Sequence, residues 1–102
     1  MGLYLNRVNL DGVTSATNGE GVNTTRLKDK SILVNVSVNT GAVTVTIQQS
    51  KDNNTWYDLD AKTYTATTGK DVFSFAEHFP YMRTITTSQT NSTVTTTITG
   101  AQ

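Results

Sequence analysis

The reading of "SILVNVSVNTGAVTVTIQQS", residues 31–50, decides the fold. In its first part Ile32, Val34, Val36 and Val38 fall on alternate positions, with Asn35 and Ser37 between them. Apolar and polar side chains alternating at period two mark a strand with one buried face and one wet face. Leu33 is the exception, an apolar side chain on the polar face. The second part repeats the pattern, with Val43, Val45 and Ile47 inward and Thr44, Thr46 and Gln48 outward. Between the two lies "NTG", residues 39–41, a turn signal. The stretch therefore reads as two strands joined by a turn.

The same alternation recurs along the chain. "STVTTTITG", residues 92–100, sets Val94, Thr96 and Ile98 against Thr93, Thr95 and Thr97. "DVFSFAE", residues 71–77, places Phe73 and Phe75 on one face. "PYMRTITTS", residues 80–88, reads with Tyr81 and Ile85 inward and the Arg83 stem snorkelling to the rim, leaving Met82 and Thr84 outward. Weaker strands are expected near residues 2–10, 21–27, 55–59 and 62–67. "TNGEG", "NTG", "KDNN", "TTGKD" and "SQTNS" supply turns every eight to twelve residues or so, the spacing of a sandwich or small barrel. No segment has a helical period. The expected architecture is all-β: a single antiparallel β-sandwich, jelly-roll-like, of about eight short strands. One domain spans residues 1–102, with a core sandwich over 31–100 and a less regular first thirty residues that include the connection 11–21. Trp56, Val45, Ile47, Phe73 and Tyr81 are the expected structural anchors.

Composition agrees with this reading. The chain has 102 residues, of which 21 are threonine, a β-branched residue suited to the wet face of a sheet. Eight basic residues balance eight acidic ones. A neutral chain lacks the basic footprint that nucleic acids or anionic membranes require, so neither is an expected partner. There is no Cys, which removes disulfides and thiolate metal sites. No apolar run reaches the roughly 20 residues of a membrane-spanning helix, and "MGLYLNRVNL" has no apolar core for a signal peptide. The expectation is a protein made and folded in a cytoplasm and not secreted by a signal peptide.

Candidate sites are few. "SKDNNTWYDLD", residues 50–60, holds three acids and two amides, but a calcium loop needs a Gly at its sixth position and a closing Glu. Tyr57 stands at that sixth position, so Asp52, Asp58 and Asp60 are read as hairpin chemistry and no metal or other cofactor is expected. Trp56 and Tyr57 point to opposite faces, and Trp56 is assigned to the core. Tyr57 and Tyr64 remain as exposed aromatic contacts; a sugar platform of such rings is the alternative function, as a carbohydrate-binding module or an adhesin or fibre domain. His78 in "EHFPYMR", beside Glu77, has no nucleophile framework around it, and no enzyme is expected.

"TVTIQQSKDNNTWYDLD", residues 44–60, resembles the strand–turn–strand of small tailed-bacteriophage virion proteins of the capsid decoration (cement) or adaptor type. Val43, Val45, Ile47, Ser50, Asp52, Trp56 and Leu59 carry the likeness, a V-x-V-x-I run, an S-x-D turn and a W-x-x-L anchor. "FPYMRTITTSQTNSTVTTTITG", residues 79–100, is similar to the strands that close such sandwiches. The resemblance implies a non-enzymatic structural virion protein on the capsid surface, stabilising the phage head. Its implied partners are itself, as a symmetric homo-oligomer with a trimer favoured, and the major capsid protein or another virion protein. A glycan ranks below these.

Overall fold

The computed structural model describes residues 4–101; residues 2 and 3 of the expected first strand, and residue 102, lie outside the described residues. Six antiparallel strands form: β1 (Tyr4–Val13), β2 (Val22–Asn23), β3 (Asp29–Ser50), β4 (Tyr57–Thr65), β5 (Gly69–Phe75) and β6 (Tyr81–Ala101). They hydrogen-bond in the order β1-β6-β3-β4, with β2 beside β6 and β5 beside β3. β3 and β6 run 22 and 21 residues and pair from Asp29–Ala101 to Ser50–Tyr81.

A straight strand of that length would span about 70 Å at the usual rise. The longest dimension of the molecule is 42 Å. Both strands are therefore folded. The Thr84 and Thr96 hydroxyls, on one strand, lie 2.6 Å apart although 12 positions separate them, which in a straight strand would be about 40 Å. The pairing register of β3 with β6 slips between Val36 and Val38, between Asn39 and Ala42, and between Ala42 and Thr44. Such bulges bend a strand without ending its pairing.

Each long strand thus serves two layers. Sheet A contains β1, the second half of β6, the first half of β3, and β5. Sheet B contains β2, the first half of β6, the second half of β3, and β4. Taking the halves as separate segments gives eight in chain order, arranged 1-8-3-6 in sheet A and 2-7-4-5 in sheet B. That is the jelly roll, two Greek keys wrapped around one core. The strand count differs from the expected eight short strands: there are six, because the "NTG" and "SQTNS" signals are corners within continuous strands and the weak strands expected near 55–59 and 62–67 form the single β4.

The corners have their own chemistry. Asn39 is buried and donates to the Tyr64 carbonyl at 3.2 Å and the Thr67 carbonyl at 2.9 Å. Its own amide oxygen accepts from the Gly41 N–H at 3.1 Å. A Cβ at Gly41 would collide with the Thr90 carbonyl, where β3 and β6 cross closely. On β6, Ser88 and Asn91 take positive φ values of 50° and 46°, as a corner demands.

The interior is Ile32, Val34, Val36, Val94 and Ile98 from sheet A against Val43, Val45, Ile47, Met82 and Val22 from sheet B. Two face assignments differ from the alternation pattern. Val38 is 52% exposed, because the bulge after Val36 reverses the parity of the strand. On β6, Met82, Thr84 and Thr86 are buried while Tyr81 and Ile85 are only half-buried. Opposite residues in a ladder share a face, and Thr84 and Thr86 lie opposite the inward Ile47 and Val45. The anchor role read for Tyr81 therefore passes to Met82.

Burying those hydroxyls requires partners, which a cluster at one open side of the sandwich supplies. Asn9 Oδ1 accepts from both the N–H and the hydroxyl of Thr84 at 2.7 Å, and the Leu10 N–H donates to Thr96 Oγ1 at 3.0 Å. The Asn9 amide also donates to the Glu20 carbonyl, so the 14–21 connection is pinned rather than loose. Gly19 and Thr17 continue that pinning with backbone bonds to Thr84 and Thr86.

Asn39→Ala is expected to cost about 1–3 kcal/mol, because the buried amide's bonds to the Tyr64 and Thr67 carbonyls and from the Gly41 N–H are lost. Ser37→Ala, on the wet face, should stay within about 0.5 kcal/mol. Urea unfolding of the two variants checks the difference.

Candidate functional site

The 51–56 tip is built from its own side chains. Asp52 Oδ1 accepts from the Asn54 and Thr55 N–H groups and from the Ser50 hydroxyl, all at 2.9 Å. Asn53 supplies the positive φ, 61°. The backbone bonds from Thr55 and Asn54 and the Ser50 hydroxyl hold the Asp52 carboxyl below its usual range. This carboxylate closes a turn. Among the described residues no group of three His, Cys, Asp or Glu could hold a metal ion.

Trp56 is half-buried outside the core, on the outer side of sheet B. The Arg83 guanidinium stacks over its ring at 4.4 Å. Arg83 Nε donates to Gln48 Oε1 at 2.8 Å, and Gln48 Nε2 donates to Asp58 Oδ1 at 2.8 Å. A chain of polar contacts thus crosses β6, β3 and β4 and buries Gln48. The tip closes against the 14–21 connection, since a Cβ at Gly21 would meet Asn53 and the Trp56 indole. Trp56 loses its expected core place to a bulge: Ile47 pairs with Asp60 and Gln48 with Asp58, so Leu59 is the extra residue and packs inward. Val45 and Ile47 are core residues, and Phe73 packs half-buried against the core cluster.

Tyr57 and Tyr64 do not form a platform. Tyr57 is 57% exposed, but Tyr64 is 3% exposed. The Tyr64 ring faces inward because it lies opposite Val43, and its hydroxyl donates to Asp71 Oδ2 at 2.6 Å. Lys62 Nζ reaches the same oxygen at 3.0 Å. This group joins the edge strands β4 and β5 across the second open side of the sandwich. The Tyr64 hydroxyl, then Lys62, hold the Asp71 carboxyl below its usual range, and burial with Asp71 pushes the Tyr64 phenol up.

One end of the sandwich carries a feature the sequence does not announce. Lys30 is 1% exposed; its ammonium donates to the Leu27 carbonyl at 3.1 Å and sits 5.5 Å over the Phe79 ring. Burial pushes its pKa down, against the raising effect of Glu77 and Asp29. Phe79 in turn meets Phe75 edge-on at 6.2 Å. Lys30 is an end plug. His78 is exposed in the 76–80 loop beside Arg26 and Lys28, away from the Tyr64–Asp71 group.

The outer face of sheet A is the least ordinary surface. Val8 lies opposite Thr97, Thr97 opposite Leu33, and Leu33 opposite Val72. The three apolar members are 52%, 40% and 63% exposed, and Tyr4, on the same face of β1, is 86% exposed. A parallel row runs Asn6, Thr99, Ser31 and Ser74. Leu33 is the residue whose place on the polar face broke the alternation; Val8 and Val72 are exposed because sheet A pairs them with it. A shallow depression lies between Leu33, Val72, Thr95 and Thr97.

Fold and surface define an antiparallel jelly-roll sandwich with one partly apolar outer face. No family model and no curated protein matches the sequence. Among solved structures, the SPBc2 prophage-derived protein YomS is similar over 100% of this chain and 96% of its own, at a TM-score of 0.72 and 14% identity. The structure of PirA is similar over 99% and 93%, at 0.56 and 11% identity. The likenesses are of fold.

Two outcomes follow from this geometry. The Asp71 carboxylate is favoured by the fold, so its stabilisation is complete above the ordinary carboxylate value of 3.8 and drains away as the pH falls through the lowered native value. Thermal melts should show an acid-side fall in Tm that Asp71→Asn flattens. Trp56→Ala should cost about 1–2 kcal/mol, the scale of a partly desolvated cation–π contact, and not the roughly 3–5 kcal/mol of a buried aromatic. Denaturant unfolding distinguishes the two.

Proposed function

We propose that this protein is a non-enzymatic structural component of a bacteriophage virion, of the head-decoration type, which binds the assembled capsid surface and stabilises it. The observation that carries the reading is the outer face of sheet A, where four exposed apolar side chains stand among hydroxyl and amide groups. Apolar surface of this kind, rimmed by polar residues, marks a protein contact. Threonine and asparagine can re-pair their hydrogen bonds across such a contact at little desolvation cost. Charged residues are 16% of the chain, against about 25% in typical domains, so protein-facing surface is inexpensive to form.

Two further points support the reading. The 44–60 strand–turn–strand resembles that of phage virion proteins, and its Ser50–Asp52 turn and Trp56 anchor are both engaged in local structure. A prophage-derived protein uses the same fold over nearly its whole length. In this proposal the chain is made in the host cytoplasm and works on the capsid. Ligation to an assembled lattice but not to free subunits would stabilise the shell by mass action.

The test is co-sedimentation with capsids stripped of accessory proteins, together with the capsid disruption temperature. Pelleting with the shells and a raised disruption temperature are expected. A chain that ignores capsids but is retained on a polysaccharide column overturns the reading in favour of glycan binding.

A further inference from the structure

We propose that Asn18–Gly19 is a site of spontaneous covalent modification, closing to a backbone succinimide that opens to aspartate or isoaspartate, and that docking of the 14–21 connection on β6 gates the reaction. The inference concerns the lifetime of the folded chain and stands independently of what the protein binds.

The chemistry needs only this chain and water. After a solvent base removes its proton, the Gly19 backbone nitrogen attacks the side-chain carbonyl carbon of Asn18. A carbon–nitrogen bond forms, the bond to the side-chain nitrogen breaks, and that nitrogen takes up a proton and leaves as ammonia. Water then adds to either carbonyl of the five-membered ring. Opening gives aspartate or, with the main chain rerouted through the side-chain carbon, isoaspartate; nothing is oxidised or reduced. Glycine hinders the attack least, having no Cβ beside the nitrogen. Of the nine asparagines only Asn18 precedes a glycine.

The fold itself demands that glycine. Gly19 is buried, and a Cβ on it would collide with the Asn9 side chain and the Thr84 carbonyl. Asn18 is exposed. The labile pair is thus a by-product of packing where Asn9 closes one open side of the sandwich.

The same packing blocks the reaction. The Gly19 N–H donates to the Thr84 carbonyl at 2.8 Å, and an amide committed in this way keeps its proton. Asn18 forms a bridge with Ile85. On one side of the pair the Thr86 N–H donates to the Thr17 carbonyl at 2.9 Å, and the Thr17 N–H to the Thr86 hydroxyl at 3.0 Å. On the other side the Glu20 carbonyl accepts from the Asn9 amide at 2.8 Å. A backbone held at both ends does not turn the Asn18 side chain onto the following nitrogen. The reaction therefore runs through molecules whose connection has left β6. A mostly exposed segment held by a few hydrogen bonds opens more readily than the whole fold. Opening is fast beside this chemistry, so the rate follows the population of the open form.

The two products have different fates. Aspartate leaves the main chain unchanged, and its exposed side chain lets the connection dock again. Isoaspartate adds a main-chain atom between the Thr17–Thr86 and Gly19–Thr84 bonds, whose spacing the ladder fixes, so the two are not made together. Isoaspartate at position 18 is a one-way record of undocking.

Mass spectrometry of the tryptic peptide 8–26 tests the proposal, after folded and urea-unfolded protein have stood in the same mildly alkaline buffer. The amide-to-acid mass gain should map to Asn18 and appear at least about ten-fold faster in urea. Isomerisation at Asp11–Gly12, in the same peptide, leaves the mass unchanged. Thr86→Val removes the acceptor of the Thr17 N–H and keeps the side chain's size. It should speed the reaction of the folded protein about ten-fold, the factor that about 1.4 kcal/mol of lost docking gives, and leave the rate in urea unchanged. A circular dichroism spectrum like the wild type's establishes that this variant is folded; if it is not, the wild-type comparison decides alone. Asn18→Asp should melt with the wild type, and the purified isoaspartate form below it. No mass gain at Asn18 in urea overturns the site. Equal rates in folded and unfolded protein overturn the gate, as does a folded Thr86→Val protein that reacts at the wild-type rate. An isoaspartate form that melts with the wild type overturns the one-way record.

Discussion

Everything in this molecule depends on β3 and β6 pairing over their full length while both fold back on themselves. Two strands of more than twenty residues share one ladder from Asp29–Ala101 to Ser50–Tyr81. Bending one would tear the ladder unless the other bent at the same place. Bulges along residues 36–44 of β3, facing the Ser88 and Asn91 kinks of β6, make that joint bend. Once it is made, the valines of residues 32–36 face the valines of residues 43–47, and the core closes. The short strands then have only edges to occupy.

The two open sides left by this wrap are closed by polar groups. Asn9 ties β1 of sheet A to Thr84 of sheet B; Asp71 ties β5 of sheet A to Tyr64 of sheet B. Buried polar groups are costly unless each finds a partner, and satisfied they specify one arrangement. Here they set how the two sheets are placed. Hydrophobic burial alone would hold valine faces together in several registers; the Thr84–Thr96–Asn9 cluster admits one. The high threonine content therefore has two roles, wetting the outer faces and pinning the inner ones.

The functional reading rests on the contrast between the two outer faces. Sheet B's face is covered by its own hairpin tip, with Trp56 under Arg83 and Gln48 bridging to Asp58. Among the described residues, sheet A's face has no such cover. Val8, Leu33 and Val72 stand exposed in a single row. The proposed association rests on that contrast: one face carries a tryptophan and an arginine over it, and the other, among the described residues, is left exposed.

The all-β class, the hairpin tip at residues 51–54 and the inward runs Ile32–Val36 and Val43–Ile47 were legible in the sequence, because side-chain alternation is a local property of a strand. Leu33's misplacement on a polar face was legible too, and it was the one visible trace of the exposed row. The sequence could not show that residues 39–41 are a corner and not the end of a strand, since a turn signal reports a change of direction and says nothing about whether pairing continues. Nor could it place Trp56, Tyr64 or Met82. Each of those depends on a register, with a single extra residue at Leu59 or after Val36 sending the side chains beyond it to the opposite face. Lys30 was invisible for the same reason, because its burial is made by Leu27 and Phe79, which only the closed fold brings beside it. Alternation along one strand is written in that strand; the face it finally presents is decided by its neighbours.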